Sequence, residues 1–170
     1  MTERPRAQRP AMSEYGVDTP DWAPLAWEWA ATRLAANRNF WVVTVSGDGR
    51  PHALPVWGVW DDDDLRFAFS CAPGSRKARN LAANPRAVVM VDDTVECISI
   101  EGTAEPVAPG DRAEQWIARY LAKYQALEAE LDADFLRQNA IFEFAPERAF
   151  AVVERADEFA SRATRWVFTA

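Results

Sequence analysis

The sequence predicts a mainly β protein with flanking helices, an α+β fold built around a closed or nearly closed barrel. Three observations indicate this class: six or seven short strand patterns, few helical segments, and no internal repeat. At 170 residues the chain is long enough for a single domain with a substantial core. We therefore expect a flexible arm over residues 1–19 and one barrel domain over residues 20–170.

The first half of the chain predicts an arm, one helix and a dense β region. Residues 1–19 show no apolar period, which is typical of a loosely attached segment. An amphipathic helix is predicted from Pro20 to about residue 37, because Trp22, Leu25 and Trp29 fall near one face. The strands that follow, separated by a Gly-Asp-Gly hairpin turn and an acidic turn, cover residues 40–46, 51–60 and 65–70.

The second half begins with a short helix and ends in strands. Ser75 is a good N-cap for a helix that stops at Asn84 and Pro85. Asp111 and Glu114 fit a capping box at the start of a long helix that reaches about residue 131. The remaining strand patterns cover residues 87–92, 96–107, 141–144 and 149–154, with a final segment at 163–168.

Composition excludes several classes of protein. The net charge of -7 and pI of about 4.8 argue against nucleic acid as a partner. The apolar runs are too short to span a bilayer, and no hydrophobic signal segment begins the sequence, so we expect a cytoplasmic protein without a membrane partner. Cys71 and Cys97 match neither a disulfide scaffold nor a zinc site, and we expect two buried thiols.

Catalytic side chains are scarce in this sequence. His52 is its only histidine, which excludes multi-histidine metal centres, and a lone histidine in a strand is more often structural. No Gly-x-Ser-x-Gly elbow, Gly-x-Gly-x-x-Gly loop or phosphate-binding P-loop is present. We assign no metal site and no catalytic residue. A bound cofactor would have to supply the chemistry.

The start of the helix after Ser75 carries the strongest functional signal. Arg76 and Lys77 occupy its first turn, where the helix dipole disfavours cations. From Ala72 to Val91 the chain has four basic residues and no acid, although it is acidic overall. A bound anion, such as the phosphate of a small molecule, would account for this pattern. A solvated basic helix face is the alternative.

An ordered series of motifs resembles the pyridoxamine 5'-phosphate oxidase-like split β-barrel superfamily. The resemblance covers residues 38–107 and rests on Gly49–Pro51, Phe67–Ser70, Gly74–Lys77, Asn80-Leu81, Asn84–Arg86 and Glu101–Glu105. It implies a homodimer with a flavin-type cofactor in a cleft between the subunits. It also implies that Ser75, Arg76 and Lys77 hold the cofactor phosphate, with Phe69 and Ser70 along the ring or the ribityl chain.

The sequence departs from true pyridoxamine phosphate oxidases at two places, which narrows the part of the superfamily that it resembles. True pyridoxamine phosphate oxidases have phosphate-binding Arg and Lys residues on the second strand, where this chain has Leu54 and Val59. They also end in an Arg-x-His motif that is absent here, so vitamin B6 oxidation is excluded. The sequence is more similar to the flavin/deazaflavin oxidoreductase branch. That similarity implies F-420 as the first choice of cofactor and FMN as the second, with the ring against Pro55, Val56 and Trp57.

The resemblance implies an oxidoreductase that transfers a hydride between F-420 or a flavin and a small conjugated organic substrate. The alternative is a protein that binds or stores the cofactor without turnover, which the scarcity of acid–base side chains favours. The proton would come from His52, Arg165 or water, and the sequence does not choose among them. Trp57 and Trp166 have a simpler interpretation as packed aromatic side chains.

Overall fold

The structure, a computed structural model, describes residues 2–127 and 129–169 and contains one antiparallel sheet. Its strands are β1 (Arg6–Gln8), β2 (Asn39–Val45), β3 (Pro51–Asp61), β4 (Arg66–Cys71), β5 (Arg86–Val91), β6 (Glu96–Pro106), β7 (Ala140–Val153) and β8 (Thr164–Val167). Its α-helices are α1 (Trp27–Ala36), α2 (Arg76–Ala83), α3 (Asp111–Ala126), α4 (Ala133–Gln138) and α5 (Phe159–Arg162).

Six strands close into a barrel. Their order is β7-β4-β3-β2-β5-β6, and β6 pairs again with β7 to complete the circle. The long strand β7 pairs with β4 along its first half and with β8 along its second half. The predicted class, a mainly β barrel with flanking helices, is confirmed, and the barrel is of the split type that the resemblance implied.

The split lies beside β3. β2 pairs with β3 over residues 51–57, whereas β4 pairs with β3 only over Gly58–Asp61. Beyond Phe69, β4 leaves β3, and its last two residues pair only with β7. The first half of β3 therefore has an open edge, and the chain turns from the end of β4 into α2 next to it.

Two apolar clusters hold the barrel and its helices together. The barrel interior is filled by buried side chains from the strands and α1, among them Leu34, Phe40, Val89, Ile98, Ile100 and Phe144. A second cluster packs α3 against the outside of β3 and β4, through Val59, Ala68, Trp116, Ile117, Tyr120 and Tyr124. Helix α3 therefore fixes the strand that borders the split.

The structure differs from the flexible arm predicted for residues 1–19, as far as residues 2–19 are described. Arg6–Gln8 pairs with β8 as an edge strand, and Val17 is fully buried. A three-residue strand and one buried valine leave no periodic signal in the sequence. Helix α1 also begins at Trp27 rather than near Pro20.

The later elements contain further differences. The capping box predicted from Asp111 and Glu114 is wrong, because Gly110 is the N-cap of α3 and makes no side-chain cap bond. Glu114 instead forms an ion pair with Arg137 of α4, a helix that was not predicted. β7 runs as one strand over the two segments expected separately. Cys71 and Cys97 are free thiols that are partly exposed rather than buried.

Candidate functional site

The N-terminus of α2 is capped as the sequence predicts. The Ser75 hydroxyl accepts a hydrogen bond from the Ala78 N–H at 3.2 Å, and the Ser75 N–H donates to the Ala72 carbonyl at 2.9 Å. No acidic residue lies in the first turn of the helix. Free backbone N–H groups and the positive end of the helix dipole therefore face outward beside two cationic side chains.

Arg76 and Lys77 differ in exposure but share the absence of a carboxylate partner. Within residues 2–127 and 129–169, neither side chain forms an ion pair or a hydrogen bond. Arg76 is exposed, whereas Lys77 is only 5% exposed. Burial lowers the pKa of Lys77, and the neighbouring Cys71 opposes that shift. A partly desolvated ammonium without a partner is unfavourable, so this position fits a bound anion.

The inner face of α2 docks on the barrel next to His52. The Asn80 side chain donates to the Thr44 hydroxyl at 2.9 Å, and both residues are buried. Thr44 is the cross-strand partner of His52. Burial and the charges of Arg76 and Lys77 lower the pKa of His52. The first turn of α2 and the start of β3 thus form one region of positive potential.

Three residues were expected to contact the cofactor ring, and all three lie along the open edge of β3. Pro55 is exposed, and Val56 is half-buried against the barrel core. The indole of Trp57 stacks on Tyr124 of α3, with ring centroids 4.6 Å apart and an interplanar angle of 13°. The Arg38 guanidinium lies over its ring at 5.8 Å. The Trp57 side chain is therefore held by packing.

The two residues expected along the ring or the ribityl chain separate in the structure. Phe69 is fully buried inside the barrel and stacks on Phe142 at 5.5 Å. Its side chain therefore belongs to the core and is not accessible to a ligand. Ser70 is half-buried where β4 leaves β3, one residue before Cys71. Of this pair, only Ser70 lies at the split.

The two apolar residues that marked the departure from true oxidases lie on opposite faces of β3. Leu54 is 48% exposed and pairs with Val42, on the same face as His52. Val59 is buried beneath α3 in the second cluster. Leu54 therefore adds an uncharged surface near the split, whereas Val59 is remote from solvent.

The C-terminal residues act as packing groups. Trp166 is fully buried and meets Trp27 edge to face at 5.5 Å. Arg165 donates to the Gln8 side chain at 2.8 Å and so helps to hold β1 against β8. These contacts bear out the packing interpretation of Trp166 and give Arg165 a structural partner.

Sequence reasoning missed how α3 fixes the end of the split. The Tyr124 hydroxyl accepts from the Gly58 N–H at 2.7 Å and bonds the Arg38 carbonyl at 2.7 Å. The Lys123 ammonium donates to the Gly58 carbonyl at 2.9 Å, and burial lowers its pKa to about 8. The apolar stripe of α3 predicts that the helix packs, but no sequence signal identifies Gly58 as its target.

A cavity of about 410 Å³ opens between α3, α4 and the turn that leads into α2. Its lining is mainly apolar, and the ion pair between Glu114 and Arg137 lies at one side. The lining residues include Pro73, Pro106, Val107, Ile117, Leu136 and Ile141. Pro73 brings this cavity close to the N-terminus of α2, because Ser75 follows it by two residues.

Comparisons with known proteins agree with the architecture. The family described as pyridoxamine 5'-phosphate oxidase matches residues 27–153. No curated protein matches the chain. Across the described residues, no helix is long and apolar enough to cross a membrane, and no cluster of His, Cys, Asp or Glu could hold a metal ion.

Three solved structures illustrate the shared fold. A conserved hypothetical protein from Mycobacterium tuberculosis is 20% identical with a TM-score of 0.65, over 77% of this chain and 86% of its own. HutZ, the heme storage protein from Vibrio cholerae, is 20% identical with a TM-score of 0.60, over 76% and 95%. An F-420 reductase is 20% identical with a TM-score of 0.57, over 69% and 93%.

Proposed function

The chain belongs to the pyridoxamine 5'-phosphate oxidase family, and on that premise we propose that it is an oxidoreductase with a phosphate-bearing deazaflavin or flavin cofactor. The observation that carries this proposal is the pair Arg76 and Lys77. Both lie at a capped helix N-terminus, and no acid neutralises either of them in the described part of the chain. Ser75, Arg76 and Lys77 would hold the phosphate.

The electrostatics of this pair favour a phosphate over a neutral ligand. The partly enclosed ammonium of Lys77 loses part of its hydration, and an opposite charge with hydrogen-bond acceptors would replace the lost water. A phosphate supplies several acceptor oxygens and negative charge. The backbone N–H groups at the start of α2 would bind the same oxygens.

The open edge of β3 continues from the phosphate position and suits a planar ring. In an antiparallel strand, alternate residues direct their N–H and C=O groups to opposite sides. Part of the backbone of residues 51–57 therefore points away from β2 into the split. Val56 or Trp57 would donate an N–H there, whereas Pro55 has no N–H and would contribute only apolar contact.

The cofactor would supply hydride transfer, and the chain would position the two reactants. Alignment of two bound reactants accounts for a large share of such rates. The apolar cavity that begins at Pro73 has space for a small conjugated organic substrate, which is the substrate class that we propose. Its only charged lining groups, Glu114 and Arg137, neutralise each other.

F-420 is our first choice of cofactor and FMN is the alternative. The phosphate of F-420 is a diester with one negative charge, whereas FMN carries a monoester with nearly two. Leu54 adds no positive charge to the face of β3 that borders the site. At the phosphate group itself, a site with few cations matches a diester better than a monoester, and the carboxylates of the F-420 tail would lie outside this site.

We also propose that the protein is a homodimer with the cofactor cleft at the interface. The outer face of β2, β3 and β5 carries adjacent apolar residues, because Trp41 pairs with both Pro55 and Met90, and Val43 pairs with both Ala53 and Val88. Trp41 is 42% exposed. A second copy of the chain would cover this face beside the proposed ring position.

Cofactor binding or storage without turnover is the second candidate. Two observations favour it: the described split contains few acid–base side chains, and HutZ, a heme storage protein, shares the fold. The two candidates differ in turnover. A reductase would reoxidise its bound, reduced cofactor with at least one conjugated acceptor, whereas a storage protein would leave the cofactor unchanged with all acceptors.

The decisive experiment is a parallel titration of the purified protein with F-420, FMN and riboflavin, followed by tryptophan fluorescence. We expect F-420 and FMN to bind and riboflavin, which lacks the phosphate, to bind at least tenfold more weakly. Equal binding of FMN and riboflavin would contradict the phosphate site.

Variants of α2 test whether its first turn makes the phosphate contacts. Loss of two charge-assisted hydrogen bonds costs at least about 3 kcal/mol, so Arg76→Ala/Lys77→Ala should weaken FMN binding more than about 100-fold. The matched control is Arg148→Ala/Arg155→Ala, which removes the same charge from exposed ion pairs with Glu101 and Glu96. Equal losses in both double variants would indicate a general charge effect and refute the assignment.

A further inference from the structure

We propose that His52 is a third ligand of the anion bound at the start of α2, and that it binds this anion in its protonated form. The inference rests on the proposed cofactor site and extends it to a residue on a different element. Its consequence is that phosphate binding and proton uptake by this one imidazole are coupled.

The packing of α2 brings the groups together. Lys77 and Asn80 are three residues apart and therefore lie on the same side of the helix. Asn80 bonds Thr44 at 2.9 Å, which fixes this side of α2 on β2. His52 is the residue directly opposite Thr44 in the β2–β3 ladder. The imidazole thus lies beside the helix turn that carries Arg76 and Lys77.

One ring nitrogen of His52 lacks a hydrogen-bond partner in this arrangement. Its Nδ1 atom is buried and has no hydrogen-bond partner among the described residues. Buried polar atoms are nearly always paired, so a buried orphan next to two unpaired cations indicates a missing acceptor. An oxyanion would accept from Nδ1–H of the imidazolium and from both cations at once.

The charges around His52 determine whether proton uptake strengthens or weakens anion binding. Burial, Arg76 and Lys77 all lower the pKa of His52, so the free protein holds it neutral over most of the physiological range. Asp48 and Arg50, in the turn before β3, pair with each other at 3.0 Å. Thr44 on β2, Asn80 on α2 and the thiol of Cys71 on β4 carry no formal charge, and the remaining cation of α2, Arg79, is exposed and donates to the Gly74 carbonyl.

An anion bound between His52, Arg76 and Lys77 would reverse the direction of the pKa shift of His52. Its negative charge stabilises the imidazolium, so the pKa of His52 rises on binding. In the interval between the two pKa values, the imidazole of the bound state is therefore protonated to a larger fraction than that of the free state. Binding is therefore tighter at low pH and weakens as the pH rises through this interval.

The experiment uses the fact that the chain contains a single histidine. Its imidazole signals can be followed by NMR over pH 5–9 without assignment. Sulfate is the probe, because it does not titrate in this range, whereas a phosphate monoester has a second pKa near 6. The control is sodium chloride at equal ionic strength, since salt alone screens Arg76 and Lys77. The same titration is repeated with the Arg76→Ala/Lys77→Ala variant.

We expect sulfate to raise the pKa of His52 by about one unit over the chloride control, and the double variant to abolish this difference. His52→Gln, which keeps a neutral hydrogen-bonding group, should weaken FMN binding about five- to tenfold at pH 6 and leave it nearly unchanged at pH 8.5. Identical titrations in sulfate and chloride would overturn the proposal, as would unchanged FMN affinity of His52→Gln at pH 6.

The outcomes also separate this inference from the proposed function. If FMN binds much more tightly than riboflavin while the titration of His52 ignores sulfate, the cofactor site stands and His52 is not part of it. If sulfate shifts His52 but neither F-420 nor FMN binds, the anion site stands and the cofactor assignment fails.

Discussion

Replacement of Lys77 by methionine should stabilise the free protein and remove its affinity for the cofactor. The Lys77 side chain is 5% exposed, and no carboxylate or acceptor in the described chain compensates its charge. Methionine has a similar length and volume, so Lys77→Met retains the apolar contacts of the stem and removes only the charge. The same charge that destabilises the free fold would bind the phosphate.

The size of the effect follows from the burial of the ammonium. Burial of a charged group is unfavourable, and replacing buried ion pairs by apolar side chains of similar volume is neutral or stabilising by up to about 4 kcal/mol. The Lys77 ammonium is only partly enclosed, so we expect about 1–2 kcal/mol, in the lower half of that range. For a chain of 170 residues this corresponds to a rise in Tm of about 3–6 °C.

The pH dependence provides a second signature of Lys77→Met. Burial lowers the pKa of Lys77 below its usual 10.5, so the unfolded state binds more protons than the folded state between the two values. The free energy of unfolding of the wild type therefore rises with pH across this interval. The stability advantage of Lys77→Met should be largest at neutral pH and should shrink as the pH approaches 10.5.

The assay is thermal unfolding of ligand-free wild type and Lys77→Met at pH 7 and pH 10, with FMN titrations on the same samples. Arg148→Met is the control, because it removes one positive charge from an exposed ion pair with Glu101. A Lys77→Met variant that is less stable than the wild type at pH 7 would refute the reasoning, since the charge would then have a favourable partner within the fold.

Two further predictions concern the barrel. Gly102→Ala should lower the free energy of unfolding by about 2–3 kcal/mol and Tm by about 5–10 °C, because a Cβ there would lie 2.1 Å from the Ala145 carbonyl oxygen. The control is Gly47→Ala, which has open space around the new Cβ. Equal Tm values for the two variants would contradict the packing argument. Burial lowers the pKa of Lys123 to about 8. The free energy of unfolding of the wild type, measured with denaturant, should therefore rise between pH 8 and 10.5 relative to that of Lys123→Met. Parallel pH dependences of the two proteins would contradict this prediction.

Local patterns made the fold and part of the site predictable. Alternating β-branched and aromatic residues give the strands, and Ser75 caps α2 as its sequence requires. The basic first turn of α2 is also visible in the sequence, since it depends on neighbouring residues only. These features need no knowledge of distant contacts.

The features that the sequence did not reveal depend on tertiary packing. Phe69 belongs to an alternating strand and could face either side, and only closure of the barrel places it against Phe142. The burial of Lys77 depends on the docking of Asn80 on Thr44, which are 36 residues apart. Residues 6–8 form a strand only because β8 offers an open edge.

The start of α2 places two adjacent cations, Arg76 and Lys77, in one helix turn without a carboxylate partner among the described residues. The chain has 26 acidic residues against 19 basic ones, so carboxylates are available in excess. Many basic residues elsewhere in the described chain use them, as in the pairs Arg33–Glu96, Arg112–Glu143, Arg119–Asp61 and Arg137–Glu114. A purely structural role for the start of α2 would be served equally well by an acid in its first turn, which the helix dipole also favours. An excess of cations there, in an acidic protein, is therefore best explained by an anion that the chain itself does not supply.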